Sequence, residues 1–370
     1  MVFLNYSWQN LAAIKNRIAF YGAGRNFIST IKKHPGVLDY VTCIIDNGCK
    51  NKVFQADNSQ VIPIYTLDNF LEIYNVADFF IIISLGWKLL NEVYPVLQSD
   101  ERLMEASFSL PVLMDEKEHY DFENRRSYPS TYKLRDEPLI PKKIHYCWFG
   151  YGKMQDNYNR YIESWKKFCP DYQIIRWDES NYDVGKNEFI KAAYNAGKWA
   201  YVSDFARLDI VYNEGGIYLD TDVELIKPLD DLLYQDAFFG TESGKYVATG
   251  LGFGAKAHCD FVGKLIDIYS GMTFDADNLI PCPTSQLPFF LKEGFIPSAG
   301  YQIIDGCAIL PELCLSPKSQ VTGIVHSTDQ TFAIHHFDAS WLDYYTNVQK
   351  IDMWNKYQAI VNGSEINEFK

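Results

Sequence analysis

Short apolar segments alternate with amphipathic ones along the first third of the chain. Segments of strand length occupy residues 17–21, 41–45 and 79–84. The last of these is apolar throughout, which is typical of a strand buried in a parallel sheet. Residues 67–74 repeat apolar positions at helical spacing. Because strands that alternate with helices predict βαβ units, we expect an α/β domain over residues 1–115.

A second series of elements begins near residue 139. Strands are predicted at 141–150 and 172–177, and helices at 157–168, 187–196 and 202–213. We therefore expect a second α/β domain over residues 139–345. Residues 116–138 are rich in charge with little periodicity, which predicts a linker or packing arm. Residues 346–370 are left as a C-terminal tail.

Composition and charge narrow the class of protein. A chain of 370 residues with 47% hydrophobic residues favours two domains with real cores. The net charge of −13 argues against a nucleic-acid partner, because phosphate contacts require clustered Lys and Arg. Eight cysteines without a C-x-x-C pair indicate free thiols in a reducing compartment.

The sequence contains neither a secretory signal pattern nor an apolar run of membrane-spanning length. The N-terminus lacks a basic region followed by an apolar core. The longest apolar run, residues 77–85, is interrupted by Asp78 and too short to cross a bilayer. We expect a cytoplasmic protein, and peripheral contact with the inner face of a membrane remains compatible with the sequence.

Two D-x-D triplets occur in the chain, and their surroundings differ. Asp275 and Asp277 lie in a polar stretch with turn character, which predicts a solvated loop. Asp220 and Asp222 end an apolar strand behind a Gly-Gly turn. Two carboxylates at one strand end repel each other unless a cation or base is present. This pair therefore predicts a site for a divalent cation that neutralises a diphosphate.

Two charged residues precede this strand on a predicted helix. Asp204 and Arg207 are separated by three positions, so they project from one face. Taken alone, they fit a surface ion pair that adds little stability. Their position directly before the D-x-D strand favours a shared site.

A longer pattern combines these residues in the order S-D-x-x-R, helix, G-G-x-Y-x-D-x-D. It resembles the sugar-binding region of glycosyltransferase family 32 and is similar to the glucosylating domains of large clostridial toxins. The matching positions are Ser203, Asp204, Arg207, Gly215, Gly216, Tyr218, Asp220 and Asp222.

Two flanking segments extend the resemblance over residues 139–345. IPKKIHYCWFG resembles the opening strand of the family, with Trp148, and AIHHFDASW resembles its closing element, with His335, Ser340 and Trp341. The resemblance implies a GT-A nucleotide-diphospho-sugar transferase domain, so the predicted fold class is α/β, with this domain after a Rossmann-like one.

The resemblance also implies roles for these residues. Asp222 would bind Mn²⁺ or Mg²⁺ directly, and Asp220 would contact the metal shell and the donor. His335 is the candidate third metal ligand or a contact of the diphosphate. The implied catalytic residues are Asp220, Asp222, Arg207 and Asp204. The implied donor-binding residues are Trp148, which would stack on the base, together with Asp204, Arg207, Tyr218, Asp220, Ser340 and Trp341.

Structural alternatives stay open for several of these positions. Trp148 also fits a core aromatic, and Trp341 also fits a residue that caps the fold. His335 and His336 are adjacent, so on a strand they point to opposite faces and only one reaches the metal. Residues 247–255 read either as a glycine-rich loop that lets the backbone approach the substrate or as a plain strand with bulges.

The function implied by the resemblance is a metal-dependent, retaining transfer of a hexose from a nucleotide sugar. A UDP-sugar is favoured over GDP-mannose, and the expected acceptor is a glycan or lipid-linked glycan in capsule or surface polysaccharide synthesis. The resemblance to toxins leaves modification of a protein as an alternative.

The first domain partly fits a dinucleotide fingerprint. Gly22 and Gly24 follow a strand, and Asp46 ends the next one, but Phe27 replaces the third glycine. The domain resembles Rossmann-like modules attached to bacterial sugar-processing enzymes, and a structural or docking role is favoured. The rival functions are an NAD-dependent sugar-nucleotide oxidoreductase or epimerase and a non-catalytic carbohydrate-binding protein.

Overall fold

The computed structural model describes residues 1–14, 16–56, 60–338 and 344–363. The chain divides into two compact units. The first comprises Met1–Arg125 with Asn355–Lys370, and the second comprises Arg126–Trp354. Both combine helices with a large sheet, so the predicted α/β class is confirmed.

The first unit is built on a seven-stranded sheet within the described residues, in the order β1-β7-β6-β2-β3-β5-β4. Its strands are β1 (Val2–Phe3), β2 (Arg17–Tyr21), β3 (Val41–Ile45), β4 (Val53–Gln55), β5 (Val61–Tyr65), β6 (Phe79–Ile83) and β7 (Ser107–Ser109). Its helices are α1 (Arg25–Lys33), α2 (Leu67–Ile73), α3 (Trp87–Ser99) and α4 (Pro111–Arg125). All pairs are parallel except β4 with β5.

The three predicted strands of this unit lie side by side as β6, β2 and β3. Every residue of β6 is buried, as expected for a parallel strand covered on both faces. The side chains of Phe20 and Ile82, on neighbouring strands, are fully buried in the core together with Phe27 of α1. The local apolar pattern was therefore sufficient to locate the centre of the sheet.

Residues 116–138 were predicted to be a linker or packing arm. In the structure, the first part of this segment belongs to the helix α4. Pro111 stands at the start of this helix, where its missing N–H costs nothing. Leu113, Met114 and Tyr120 are buried along one side. The dense charges on the remaining positions hid this apolar stripe from the sequence pattern.

The second unit contains a mixed sheet in the order β15-β16-β12-β14-β10-β8-β9, with β13 beside β12, and a separate two-stranded sheet of β11 and β17. Its strands are β8 (Lys143–Cys147), β9 (Gln173–Trp177), β10 (Gly216–Tyr218), β11 (Val223–Leu225), β12 (Ala237–Glu242), β13 (Tyr246–Val247), β14 (Phe253–Ala255), β15 (Gln302–Ile304), β16 (Cys307–Leu310) and β17 (Ala333–His335). Its helices are α5 (Asp156–Phe168), α6 (Glu188–Asn195), α7 (Trp199–Glu214), α8 (Asp260–Asp267), α9 (Cys282–Lys292) and α10 (Glu312–Leu315), and α11 spans Tyr344–Asn362.

Two apolar cores cover the two faces of the mixed sheet. Ile217 and Phe238 face one core, while their chain neighbours Tyr218 and Phe239 face the other, as the two-residue period of a strand requires. The helix α7 is buried on almost all sides. It therefore lacks a polar face along its middle, and the charged residues Asp204, Arg207 and Asp209 lie inside the protein.

The remaining parts of the second unit are irregular or helical. Tyr132, from the second half of the predicted linker, is buried, and its hydroxyl donates to Gln330 Oε1 at 3.0 Å. The segment therefore serves as a packing arm here. Most of the predicted tail lies in α11, which contributes the buried Trp354 to this unit and the buried Tyr357 and Ile360 to the first unit. None of the described helices combines the length and apolar composition of a membrane span.

Candidate active site

The Gly-Gly turn places the D-x-D strand directly against the end of α7. Gly215 and Gly216 have φ of 61° and 111°, which glycine tolerates and other residues rarely adopt. A Cβ atom on Gly216 would lie 2.9 Å from His145 Nε2 and from the carbonyl oxygen of Lys143. The Gly-Gly pair in the sequence is thus explained by the backbone. At Gly216, the positive φ and the short distances to neighbouring atoms both disfavour any residue with a Cβ atom.

Replacing Gly216 with alanine tests this explanation. We expect Gly216→Ala to destabilise the second unit by about 2–3 kcal/mol, because backbone strain at positive φ adds to the steric clash of the new methyl group with His145 and Lys143. The melting temperature should fall by roughly 5–10 °C. Gly271→Ala is the matched control, since Gly271 has φ of −102° and open space around its Cβ position. Equal melting temperatures for the two variants would contradict the explanation.

Asp220 is held by groups from three elements. The Tyr218 hydroxyl donates to Asp220 Oδ1 at 2.8 Å, and the Asp220 amide donates to the carbonyl of Gly250 at 3.0 Å. Arg207 Nη2 lies 3.6 Å from Asp220 Oδ1, and the guanidinium sits 5.0 Å from the centre of the Tyr218 ring. The first aspartate of the motif is therefore fixed in one orientation.

The Asp204–Arg207 pair is buried, so its interpretation as a surface ion pair is wrong. Their relative exposures are 7% and 3%. Arg207 Nη2 donates to Asp204 Oδ1 at 2.8 Å, and Nε donates to the carbonyl of Ser203 at 3.0 Å. Burial raises the pKa of Asp204 to about 6, although the charge of Arg207 acts in the opposite direction. The pair connects the helix to the strand end through Asp220.

Gly250 completes this side of the site by close approach of the backbone. A Cβ atom on Gly250 would overlap Arg207 Nη1 and Asp220 Oδ2. The glycine-rich stretch 247–255 therefore contains both predicted features, since β14 is a strand and the turn before it brings bare backbone against two site residues.

Asp222 meets His335 through the small sheet of β11 and β17. Val223 pairs with His335 across this sheet, so the residue before β11 lies beside the imidazole. His335 Nε2 is 3.3 Å from Asp222 Oδ2. Together with Asp220, these residues offer one ligand atom each, and the atoms lie within 4.8 Å of one another. The predicted trio of metal ligands is therefore brought together.

His336 points away from this trio, as the alternation along a strand predicted. Its Nε2 lies 2.9 Å from Glu224 Oε2, and its ring stacks on Tyr161 with centroids 4.3 Å apart. By contrast, His335 Nδ1 is buried and has no hydrogen-bond partner among the described residues. The imidazole of His335 is thus available to the site, and that of His336 is not.

The two histidines allow a direct test of the metal ligands. We expect His335→Ala to weaken Mn²⁺ binding at least about 100-fold, since loss of even an outer-shell partner costs 10–100-fold. His336→Ala should leave Mn²⁺ affinity nearly unchanged, because its imidazole is engaged by Glu224. Electron paramagnetic resonance of free Mn²⁺ measures both affinities. Similar losses in the two variants would show that neither histidine is a specific ligand.

Asp338 and Asn157 support Asp222 and were missed by the sequence analysis. The Asp338 amide donates to Asp222 Oδ2 at 2.9 Å, and Asn157 Nδ2 donates to Asp338 Oδ2 at 2.9 Å. The available signal was a carboxylate three residues after His335. Two further groups were also missed. Glu242, at the end of β12, raises the pKa of His335 by its charge, and the Cys282 thiol lowers the pKa of Asp204.

The two aspartates of the motif have pKa values shifted in opposite directions. Burial raises the pKa of Asp220, and the charge of Asp222 adds to this rise, although Arg207 opposes it. Burial also acts on Asp222, but the charge and hydrogen bond of His335 outweigh it and lower the pKa of Asp222 to about 2. Asp222 is therefore the carboxylate held ionised by its own surroundings.

These residues fit a divalent cation of the Mn²⁺ or Mg²⁺ class. Carboxylate oxygens suit both ions, and imidazole nitrogen suits Mn²⁺ better. The unpartnered, buried His335 Nδ1 shows that this ring is held by packing, while Nε2 faces the carboxylates. Three protein ligands leave coordination positions for substrate oxygens.

Trp148 lies near this corner, in contact with Tyr158. Their ring centroids are 5.5 Å apart, and Trp148 Nε1 donates to the carbonyl of Gly152 at 2.6 Å. Burial raises the pKa of Tyr158, as do the charges of Asp338 and Asp222. Trp148 is only half-buried, which disagrees with a core aromatic. Ser340 and Trp341, the other predicted donor contacts, lie outside the described residues.

The second D-x-D triplet is exposed and lies in a loop, as predicted. Asp275 Oδ1 accepts the amide of Asp277 at 2.9 Å, which closes a local turn.

In the first unit, the loops that follow β2 and β3 are joined by hydrogen bonds. Asp46 Oδ2 accepts the amide of Ala23 at 2.7 Å, and Oδ1 accepts that of Gly48 at 2.8 Å. Gly22 has φ of 99°, and its amide donates to the carbonyl of Ile45. The glycine turn is present, but the carboxylate that would meet a ribose is already hydrogen-bonded.

Comparison with known proteins gives a family match and several relatives. Residues 155–239 match the model of the glycosyltransferase sugar-binding region containing a DXD motif. A human alpha-1,4-N-acetylglucosaminyltransferase is 26% identical over 136 residues, covering 36% of this chain and 35% of that protein. Inositol phosphoceramide mannosyltransferase 3 of Schizosaccharomyces pombe is 32% identical over 134 residues, covering 32% of this chain and 34% of that protein.

The matches span about a third of the length of these relatives. Among solved structures, PaToxG glycosyltransferase aligns with a TM-score of 0.36 and 15% identity, over 63% of this chain and 81% of that chain. The resemblance seen in the sequence is confirmed at the level of the motif region. The chain thus carries a glycosyltransferase sugar-binding region with a DXD motif, formed by Asp220 and Asp222.

Proposed function

We propose that this chain is a metal-dependent glycosyltransferase that moves a hexose from a nucleotide sugar to a glycan acceptor. The observation that carries the proposal is the convergence of Asp220, Asp222 and His335 within 4.8 Å. Both aspartates lie inside the matched sugar-binding region. Carboxylates and imidazole at one point are suited to hold a cation against the diphosphate of a donor.

The proposed metal ligands are Asp222, Asp220 and His335. When bound, Mn²⁺ or Mg²⁺ would act as a Lewis acid that makes the nucleoside diphosphate a better leaving group. Asp222 contributes a carboxylate that stays ionised over the physiological pH range. Asp338 and Asn157 keep that carboxylate oriented through their hydrogen bonds. Such supporting contacts fix the direction of a ligand before the donor arrives.

Arg207 and Asp204 are proposed to bind the donor sugar and to orient Asp220. Their mutual hydrogen bond and the carbonyl of Ser203 hold the guanidinium beside Asp220 before any ligand binds. Preorganised charge of this kind stabilises a polar transition state without reorganisation. Tyr218 acts on Asp220 from the strand side.

The base of the donor is proposed to stack on Trp148, whose half-exposed indole lies next to Tyr158 near the metal ligands. Ser340 and Trp341 are proposed as further donor contacts on the sequence pattern alone.

The finer proposals concern the donor, the acceptor and the stereochemistry. We favour a UDP-linked hexose, with GDP-mannose as the second choice, and a retaining reaction. The names of the relatives refer to N-acetylglucosamine transfer and to mannosyl transfer onto inositol phosphoceramide. On the sequence pattern alone, we propose a glycan or lipid-linked glycan acceptor in capsule or surface polysaccharide synthesis, at the inner face of a membrane.

The domain assignment is part of the proposal. The second unit is proposed to be a GT-A domain, and the first a Rossmann-like domain with a structural or docking role. The hydrogen bonds of Asp46 to its own loops support this role over dinucleotide binding. We propose that the protein acts in the cytoplasm.

A panel of UDP- and GDP-linked sugars, incubated with Mn²⁺ and without acceptor, tests the proposal through donor hydrolysis. Release of a nucleoside diphosphate from one donor, abolished by a chelator, is the expected result. The anomer first formed, read by nuclear magnetic resonance, tests retention. A folded protein that hydrolyses none of these donors and binds none of them in Mn²⁺ would contradict the proposal.

A further inference from the structure

Two lysines converge on the segment that carries His335. We call this segment, residues 335–338, the strap. Lys318 Nζ donates to the carbonyl of His336 at 3.2 Å, and Lys350 Nζ donates to that of Phe337 at 2.6 Å. Both lysines come from outside the strap, one from the loop after α10 and the other from α11.

One aromatic ring supports both ammonium groups. Lys318 Nζ and Lys350 Nζ lie 4.2 and 4.9 Å from the centre of the Trp354 ring. The indole is itself fixed, since it is buried and its Nε1 donates to the carbonyl of Gln320 at 3.0 Å. Contact with an aromatic face holds a lysine head without neutralising its charge.

Among the described residues, no carboxylate lies within ion-pair distance of either ammonium group. Each ammonium uses one of its three N–H donors on a carbonyl. Burial lowers the pKa of both lysines, while the more distant charges of Asp338 and Asp222 raise it. Lys350 further lowers the pKa of Lys318 by repulsion. Half-buried cations whose other N–H groups have no partner among the described residues favour the arrival of an anion.

The charge balance indicates what kind of anion fits. The carboxylates of Asp220 and Asp222 offset a divalent cation, so these three charges cancel. Beside the strap, the single carboxylate of Asp338 acts on two ammonium groups, so positive charge is in excess at this end of the site. A diphosphate that bridges a cation and two ammonium groups satisfies this excess, and phosphate oxygens accept charge-assisted hydrogen bonds from lysine.

We propose that Lys318 and Lys350 bind the diphosphate of the donor, an inference that rests on the proposed glycosyltransferase function. The two lysines are thereby binding residues, not only supports for the strap. This role requires that they act on diphosphate affinity independently of the metal.

Calorimetric titration with UDP and GDP in the presence of Mn²⁺ tests this inference. We expect the wild-type protein to bind one of the two nucleotides. Lys318→Gln and Lys350→Gln should each weaken that binding roughly tenfold, the usual effect of losing a hydrogen bond to a charged group. Lys318→Arg and Lys350→Arg keep the charge and should stay close to wild type.

Lys227 provides a matched control. Its Nζ also donates to a backbone carbonyl, that of Asp329 at 3.0 Å, and lies 4.7 Å from the centre of the Phe332 ring. It is half-buried in the same unit but follows the other end of β11 from Asp222. Lys227→Gln should therefore leave nucleotide affinity unchanged.

Three outcomes would overturn the inference. If the Lys318 and Lys350 variants bind the nucleotide as Lys227→Gln does, the lysines do not contact the diphosphate. If Mn²⁺ affinity, measured without nucleotide, falls in step with nucleotide affinity, the lysines only hold the strap. If wild-type protein binds neither nucleotide in Mn²⁺, the proposed function fails as well. The first two results leave that function standing.

Discussion

Asp222→Asn is expected to lower donor turnover about a thousand-fold or more while the fold is retained. The substitution removes the charge that ligates a cation, and loss of one preorganised group in such sites alone costs 10²–10³-fold. The new amide oxygen can still accept the hydrogen bond of the Asp338 amide, so the strap stays in place. Initial rates of nucleotide-sugar hydrolysis at saturating Mn²⁺ measure the loss.

The chain supplies a matched control for this experiment. Asp277 is the second aspartate of the other D-x-D triplet and is exposed in a loop. Asp277→Asn makes the same chemical change outside the site and should keep full turnover. Normal turnover by Asp222→Asn in Mn²⁺, with an unchanged melting temperature, would show that Asp222 is not part of the metal site.

The features that the sequence predicted well are encoded locally. The apolar runs of β2, β3 and β6 are long enough to identify strands without knowledge of their neighbours. The grouping of Asp204, Arg207 and the D-x-D strand also follows from local geometry, because a helix ends at Gly215 and the strand begins at the next residue. Within such a short stretch, spacing along the chain determines distance in space.

The features that were missed depend on contacts between distant segments. The hydrogen bond between Asp338 and Asp222 joins residues 116 positions apart. It depends on the pairing of β11 with β17, two strands of three residues each that are too short to show a period. Only the resemblance placed His335 in the site, and nothing in the sequence pattern pointed to Asn157.

Burial on α7 was misjudged for a related reason. In an amphipathic helix, polar residues mark the face that is exposed to solvent. Asp204 and Arg207 have the spacing of such a polar face. In the structure, these charges pair with each other and with Asp220, so they are buried without a solvent-exposed side. Spacing along the chain therefore does not distinguish buried charged residues that form ion pairs from charged residues on the surface.

Gly250→Ala is expected to lower donor turnover at least about 100-fold with only a small change in stability. The added methyl group would overlap Arg207 Nη1 and Asp220 Oδ2 at once. Both atoms end side chains that can move, so the fold adapts, but the orientation of both groups is lost. Misplacement of a catalytic group by about 1 Å costs on the order of 10² in rate. Donor hydrolysis and thermal melting, measured together, separate the two effects.

Gly271→Ala again serves as control, because its Cβ position is open and it lies in a turn away from these residues. Retained turnover in Gly250→Ala would mean that Arg207 and Asp220 need not keep the arrangement in which the structure holds them. A large fall in melting temperature would instead assign the glycine to folding. The expected result is lost turnover in a stable protein. It would show that the absence of a side chain at Gly250 is needed to keep Arg207 and Asp220 in the orientation that acts on the donor.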